Sequence, residues 1–233
     1  MKAILLDIEG TTTPIDFVHK TLFPFAKARI GEFVGQNFDK IQSEIAQLKT
    51  EYKKDFAEQI YGRDFREDAP ESIANYLKFL IKVDRKSTPL KSLQGQIWQK
   101  GYESGELESV MFEDVPRAFE RWKSQGKTIA IYSSGSILAQ KLIFKYSNFG
   151  DLSSFIEQYF DTDTGHKRDA ESYVKIAAAL NHPPKRLAFF SDIPAELDAA
   201  RHAGMKTTLV IRAGNSPILN KSDYEVICDF EEV

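Results

Sequence analysis

Strand-like and helix-like segments alternate from Val115 onward, and that alternation limits the fold of this chain more than any other feature. Lys127–Tyr132, Leu187–Phe190 and Thr207–Ile211 are short apolar runs of strand length, and the helical stretches Ile137–Tyr146 and Pro194–Ala203 separate them. Such an order makes an α/β fold with a doubly wound parallel sheet. One more run of the same kind, Lys2–Leu6, opens the chain. Between Ile15 and Val110 the texture is helical and charged. Ile41, Ile45 and Leu48 recur at helical spacing, as do Ile73, Leu77, Leu80 and Ile81, with Pro70, Pro89 and Gly101 as breakers. The economical architecture is an α/β core, residues 1–14 and 112–233, with a helical cap, residues 15–111, inserted after the first strand. A chain of 233 residues has the length and apolar content for both.

In open α/β sheets ligands bind outside the carboxyl ends of the strands, and the residues at those ends are chemically pointed. Asp7 and Glu9 follow the first strand, and Gly10-Thr11-Thr12-Thr13-Pro14 turns the chain away. A nucleophilic carboxylate beside a second carboxylate that handles protons suits covalent phosphoryl transfer, although a helix-capping Asp before an ordinary turn fits the pentapeptide equally well. The second strand runs into Ser133-Ser134-Gly135-Ser136, whose hydroxyls suit phosphate oxygens or a plain helix cap. Thr164-Gly165-His166-Lys167 supplies a lysine that could screen charge between a carboxylate and a phosphate. Ser191-Asp192, with Glu196 four residues on, could offer hard oxygen ligands to Mg²⁺.

A net charge of -3 and a pI near 5.9 argue against a nucleic-acid partner. A phosphorylated substrate stays open, because a divalent cation can bring the positive charge. The single cysteine, Cys228, permits no internal disulfide, fits a reducing compartment and reads as buried filler. No apolar run approaches a membrane span, and too few residues precede Asp7 for a secretory signal, so a cytoplasmic protein with no membrane partner is expected. His19, His166, His182 and His202 lack metal-ligand spacing, and only His166, beside Lys167, draws interest.

Taken in order, Asp7, Ser133, Lys167 and Asp192 resemble the four motifs of the haloacid dehalogenase superfamily of aspartate-nucleophile phosphatases, with its Rossmann-like core. The acid two residues after the nucleophile is usually Asp there and is Glu9 here. Asp7-Ile8-Glu9-Gly10-Thr11-Thr12-Thr13-Pro14 is similar in particular to the enolase-phosphatases (acireductone synthases) of methionine salvage. So are Asp84-Arg85-Lys86-Ser87-Thr88, Leu93–Trp98, Tyr132–Ser136 with Ala139–Leu142, Phe160-Asp161-Thr162 with Gly165-His166-Lys167, and Arg212–Asn215. Residues 39–68 match least.

The resemblance implies a monomeric enzyme with one Mg²⁺ per chain that enolises 2,3-diketo-5-methylthiopentyl-1-phosphate and then hydrolyses the phosphate to leave acireductone. Asp7 would be the nucleophile, Glu9 the acid and base, and Lys167 their catalytic partner. Ser133, Ser134 and Lys167 would bind the phosphoryl group, and Asp7, Glu9 and Asp192 the metal. Glu9 is also the hypothetical base for enolisation, and Phe23, Trp98 and Tyr102 of the insertion are candidate apolar contacts for the methylthio end. Two rival readings remain: a phosphatase of another small keto or sugar phosphate, disfavoured by the matched insertion motifs, and a silent binding protein, disfavoured by the intact acids and lysine.

Overall fold

Four consecutive buried residues make β1 (Ala3–Leu6), and a strand apolar on both sides belongs in the middle of a sheet covered on both faces. The computed structural model, which describes every residue except Leu219, Asn220 and Glu232, places it there. β2 (Thr128–Tyr132), β3 (Gln158–Phe160), β4 (Leu187–Ser191), β5 (Lys206–Val210) and β6 (Glu225–Ile227) join it in one sheet. The order is β3-β2-β1-β4-β5-β6 and every pair is parallel. β1 thus lies between the strands that wind outward in opposite directions, the switch point at which such sheets bind ligands.

Alternate residues of a strand face opposite sides. Leu5, Tyr132 and Phe189 pack with Tyr173 and Ile176 of helix Ala170–Ala179 and with Leu197 of helix Pro194–His202. On the other side Phe190 stacks on Trp122 of helix Asp114–Ser124 with ring centroids 6.1 Å apart, and Phe119 of that helix meets Phe144 of helix Ile137–Lys145. Helices therefore cover both faces, as parallel strands require.

The chain forms two compact units, residues 1–18 with 107–233, and residues 19–106. The second is built from helices Phe23–Asn37, Gln42–Ala57, Pro70–Lys82 and Thr88–Glu103. Pro70 and Pro89 stand at helix starts, where a missing N–H costs nothing. Gly101 does not break a helix: it lies buried inside Thr88–Glu103, where one glycine costs only about 1 kcal/mol against alanine and packing outweighs it. Within this unit Asp55 is buried, accepting from Tyr76 Oη at 2.8 Å and pairing with Arg85 at 3.0 Å. The Trp98 indole donates to the Leu22 carbonyl (2.8 Å) and stacks with Phe23, and Tyr102 is buried. Cys228 is exposed rather than buried: Ile227 turns inward at the end of β6, so the next side chain turns out. No helix among the described residues is long and apolar enough to cross a membrane.

Candidate active site

Strand register sets the site. Leu6 lies opposite both Ile131 and Phe190, so Tyr132, Asp7 and Ser191 stand level at the sheet's carboxyl edge, with Ser133 and Asp192 one residue beyond. Asp7 is only 5% exposed. Its Oδ1 accepts from the Ile8 N–H (2.8 Å) and pairs with Lys167 Nζ (2.7 Å), while Ser191 Oγ lies 3.2 Å from Oδ2. The less engaged oxygen is Oδ2.

The loop beyond Asp7 is tightly wound. The Ile8 carbonyl accepts from the N–H groups of Thr11 (3.2 Å), Thr12 and Thr13 (2.9 Å each), and Thr12 Oγ1 lies 3.3 Å from the carbonyls of Asp7 and Ile8. Gly10 is required twice over: its φ is +71°, and a Cβ there would overlap Asp192 Oδ2. Glu9 is half-buried and bridges to Thr13. Arg212, itself 7% exposed, supports this loop from behind. Its Nε donates to the Thr11 carbonyl (3.2 Å), and its two terminal nitrogens reach the Asp114 carboxylate at 3.0 and 2.8 Å.

Lys167 sits in the loop after β3, which three hydroxyls hold. Tyr132 Oη donates to the Gly165 carbonyl (2.9 Å), Ser172 Oγ to that of His166 (2.9 Å) and Tyr173 Oη to that of Lys167 itself (2.7 Å). Its ammonium therefore enters the site from a fixed backbone, and a second contact, to Glu196 Oε2 at 2.6 Å, completes an Asp7–Lys167–Glu196 cluster. Burial opposes the charge on Lys167, but the two carboxylates outweigh it and raise the pKa above the ordinary lysine value. Burial, then the charge of Asp7, pushes Asp192 up to about 7. The same two causes raise Glu196, despite its lysine partner. A site that penalises its own carboxylates in this way favours an added cation.

The Ser133–Ser136 loop after β2 is also clamped. The Ser133 N–H donates to the Phe160 carbonyl (3.2 Å) and its Oγ accepts from the Gly135 N–H (3.3 Å). Gln140, 1% exposed, sends Nε2 to the carbonyls of both Gly135 and Phe160 at 2.9 Å. The helix cap falls to Ser136, which accepts from the Ala139 N–H (3.3 Å). Ser133 is buried and Ser134 half-buried.

The structure thus brings Asp7, Lys167 and Glu196 into direct contact, and sets Asp192 against the Gly10 turn. Glu196, a possible metal ligand from sequence, is engaged by Lys167 instead. His166 is exposed, and its Nδ1 accepts from the Arg168 N–H (3.2 Å) rather than facing the cluster. Ser191, a possible metal ligand from sequence, lies against Asp7 instead, and the sequence did not point to Asp114 or Gln140 as supporting residues. For Ser191 the available signal is its place at the strand end before Asp192. No three His, Cys, Asp or Glu side chains among the described residues form a metal-holding group. The paired carboxylates Asp7 and Asp192 suit a hard cation, and Asn215 Oδ1, buried with no hydrogen-bond partner beside the same Gly10 turn as Asp192, fits the same demand.

Residues 1–204 match the haloacid dehalogenase-like hydrolase family. The chain is 49% identical to Enolase-phosphatase E1 of Leptospira borgpetersenii over 97% of this chain and 96% of the relative. It is 48% identical to that of Synechococcus elongatus over 99% and 96%. Among solved structures, the UTR4 protein of Saccharomyces cerevisiae superposes with a TM-score of 0.82 at 34% identity, covering 100% of this chain and 99% of that one.

Proposed function

Because the chain belongs to the haloacid dehalogenase-like hydrolases, and within them to the enolase-phosphatase E1 family, we propose that it converts 2,3-diketo-5-methylthiopentyl-1-phosphate into the acireductone of methionine salvage. It is a hydrolase, a phosphatase of a small phosphorylated substrate. The observation that carries the reading is the buried Lys167, held between Asp7 and Glu196 at the switch point of the sheet.

In the first half-reaction Glu9 takes a proton from C1 of the substrate. The C–H electron pair becomes the C1–C2 double bond, and the C2 oxygen gains a proton from solvent. In the second, an Asp7 oxygen attacks phosphorus as the bond from phosphorus to the C1 oxygen breaks, and Glu9 returns its proton to that oxygen. Water then attacks the phosphorus of the aspartyl-phosphate. Its proton passes through Glu9 to solvent, phosphate leaves and Asp7 is restored. Ser133, Ser134 and Lys167 hold the phosphoryl oxygens throughout. One Mg²⁺ per chain would be held by Asp7, Asp192 and the main chain of Glu9, and when bound it offsets the negative charge gathering on phosphoryl and enolate oxygens. We read the enzyme as a cytoplasmic monomer.

Anaerobic turnover with Mg²⁺, following enediol absorbance and phosphate release together, tests this. Absorbance rising ahead of phosphate supports both halves. Phosphate without an enediol would leave a phosphatase of a different substrate.

A further inference from the structure

Asn215 stands outside the catalytic roles assigned so far, yet its amide is oriented with little freedom. Nδ2 donates to the Gly10 carbonyl at 3.0 Å and lies 3.4 Å from that of Val210, so two acceptors fix which end of the amide is nitrogen. Oδ1 then points the other way, shut off from solvent and without a hydrogen-bond partner. It lies 3.0 Å from the point where a Cβ on Gly10 would sit, and that same point overlaps Asp192 Oδ2. An amide oxygen and a carboxylate oxygen therefore both border the same small space beside the Cα of Gly10. Two acceptors bordering one space call for a donor or a cation, since a buried acceptor left unmatched is costly.

We infer that Asn215 belongs to the divalent-cation site as a positioning residue with two separable parts. Its Oδ1 accepts from a water in the shell of the cation that Asp192 helps to hold, and its Nδ2 pins the Gly10 turn, hence the main chain of Glu9, in place. This inference rests on the magnesium-dependent phosphatase reading above. Outer-shell partners of this kind typically change metal affinity by about 10–100-fold when removed.

Calorimetric titration of the metal-free full chain with Mg²⁺ tests it without recourse to turnover. Four proteins are compared: the wild type, Asp192→Asn, Asn215→Ala, which removes both ends of the amide, and Asn215→Asp, which keeps an acceptor oxygen and loses the donor. The expected result is one Mg²⁺ per wild-type chain, near-complete loss in Asp192→Asn, about tenfold weaker binding or more in Asn215→Ala, and clearly tighter binding in Asn215→Asp than in Asn215→Ala. Unchanged affinity in Asn215→Ala overturns the inference and leaves the phosphatase reading standing. Equal losses in the two Asn215 variants, tracking an equal drop in the Tm of the metal-free proteins, also overturn it by reducing Asn215 to a loop clamp. A wild type that binds no Mg²⁺ overturns the underlying reading along with it.

Discussion

Lys167 Nζ stands 2.7 Å from Asp7 Oδ1, with the two side chains 6% and 7% exposed. The same ammonium lies 2.6 Å from Glu196 Oε2, so a single cation holds two buried carboxylates. Removing one partner of a buried ion pair leaves uncompensated charge and costs about 3–5 kcal/mol. Lys167→Met is therefore expected to lose stability on that scale in urea unfolding and, with Lys167 in its proposed place at the phosphoryl oxygens, roughly 100-fold or more in phosphate release. Wild-type stability and turnover in this variant would remove Lys167 from both roles.

Glu196 reaches Lys167 and lies 3.2 Å from Ser191 Oγ, which in turn approaches Asp7 Oδ2. That placement suits a carboxylate that orients the lysine. Glu196→Gln should lower kcat by roughly tenfold or more while Mg²⁺ affinity stays near the wild-type value, the pattern of a lost transition-state contact without lost metal binding. A large loss of Mg²⁺ affinity with little change elsewhere would make Glu196 a metal ligand, the alternative its spacing from Asp192 suggests.

Glu9 carries the proton transfers on this account. Glu9→Gln keeps the size and removes the base, and should abolish deuterium exchange at C1 of the substrate, with turnover falling by about 10²–10⁴-fold. Exchange that persists at the wild-type rate would assign enolisation to another group.

Arg212 and Asp114 form a two-pronged buried pair at 3.0 and 2.8 Å, and Asp114 Oδ2 also accepts from the Phe230 N–H at 2.7 Å. The Arg212 Nε contact to Thr11 ties that pair to the loop after Asp7. Arg212→Met and Asp114→Asn should each destabilise the chain by about 3–5 kcal/mol. The double variant should lose markedly less than the sum, a coupling that thermal unfolding of the four proteins measures directly. Additive losses would mean that the two side chains act independently.

The interior of the fold was legible in the sequence, and its edges were not. β1, β2, β4 and β5 are apolar enough to announce themselves, whereas β3 and β6 are three residues each and lie at the sheet's ends, where the half-buried Gln158 and the exposed Glu225 blur the pattern. Gly101 misled because helix propensity is a weak local preference that burial overrides. Cys228 misled because side-chain type says little at the last turn of an edge strand. In the site, the strand-end acids and Lys167 were readable from order along the chain. The supporting contacts of Ser191, Gln140 and Asp114 were not, because they join segments far apart in sequence: Ser191 meets Asp7, and Asp114 meets Arg212.

If Asp7 is the nucleophile, it carries the phosphoryl group covalently during turnover, and chemical trapping detects it. Enzyme quenched during turnover of the diketo phosphate with Mg²⁺ is treated with borohydride, which reduces an aspartyl-phosphate to homoserine, and the peptides are read by mass spectrometry. Homoserine is expected at position 7, dependent on substrate and absent in Asp7→Asn. Reduction at another acid, or an unmodified Asp7 in enzyme shown to be turning over, would contradict that role.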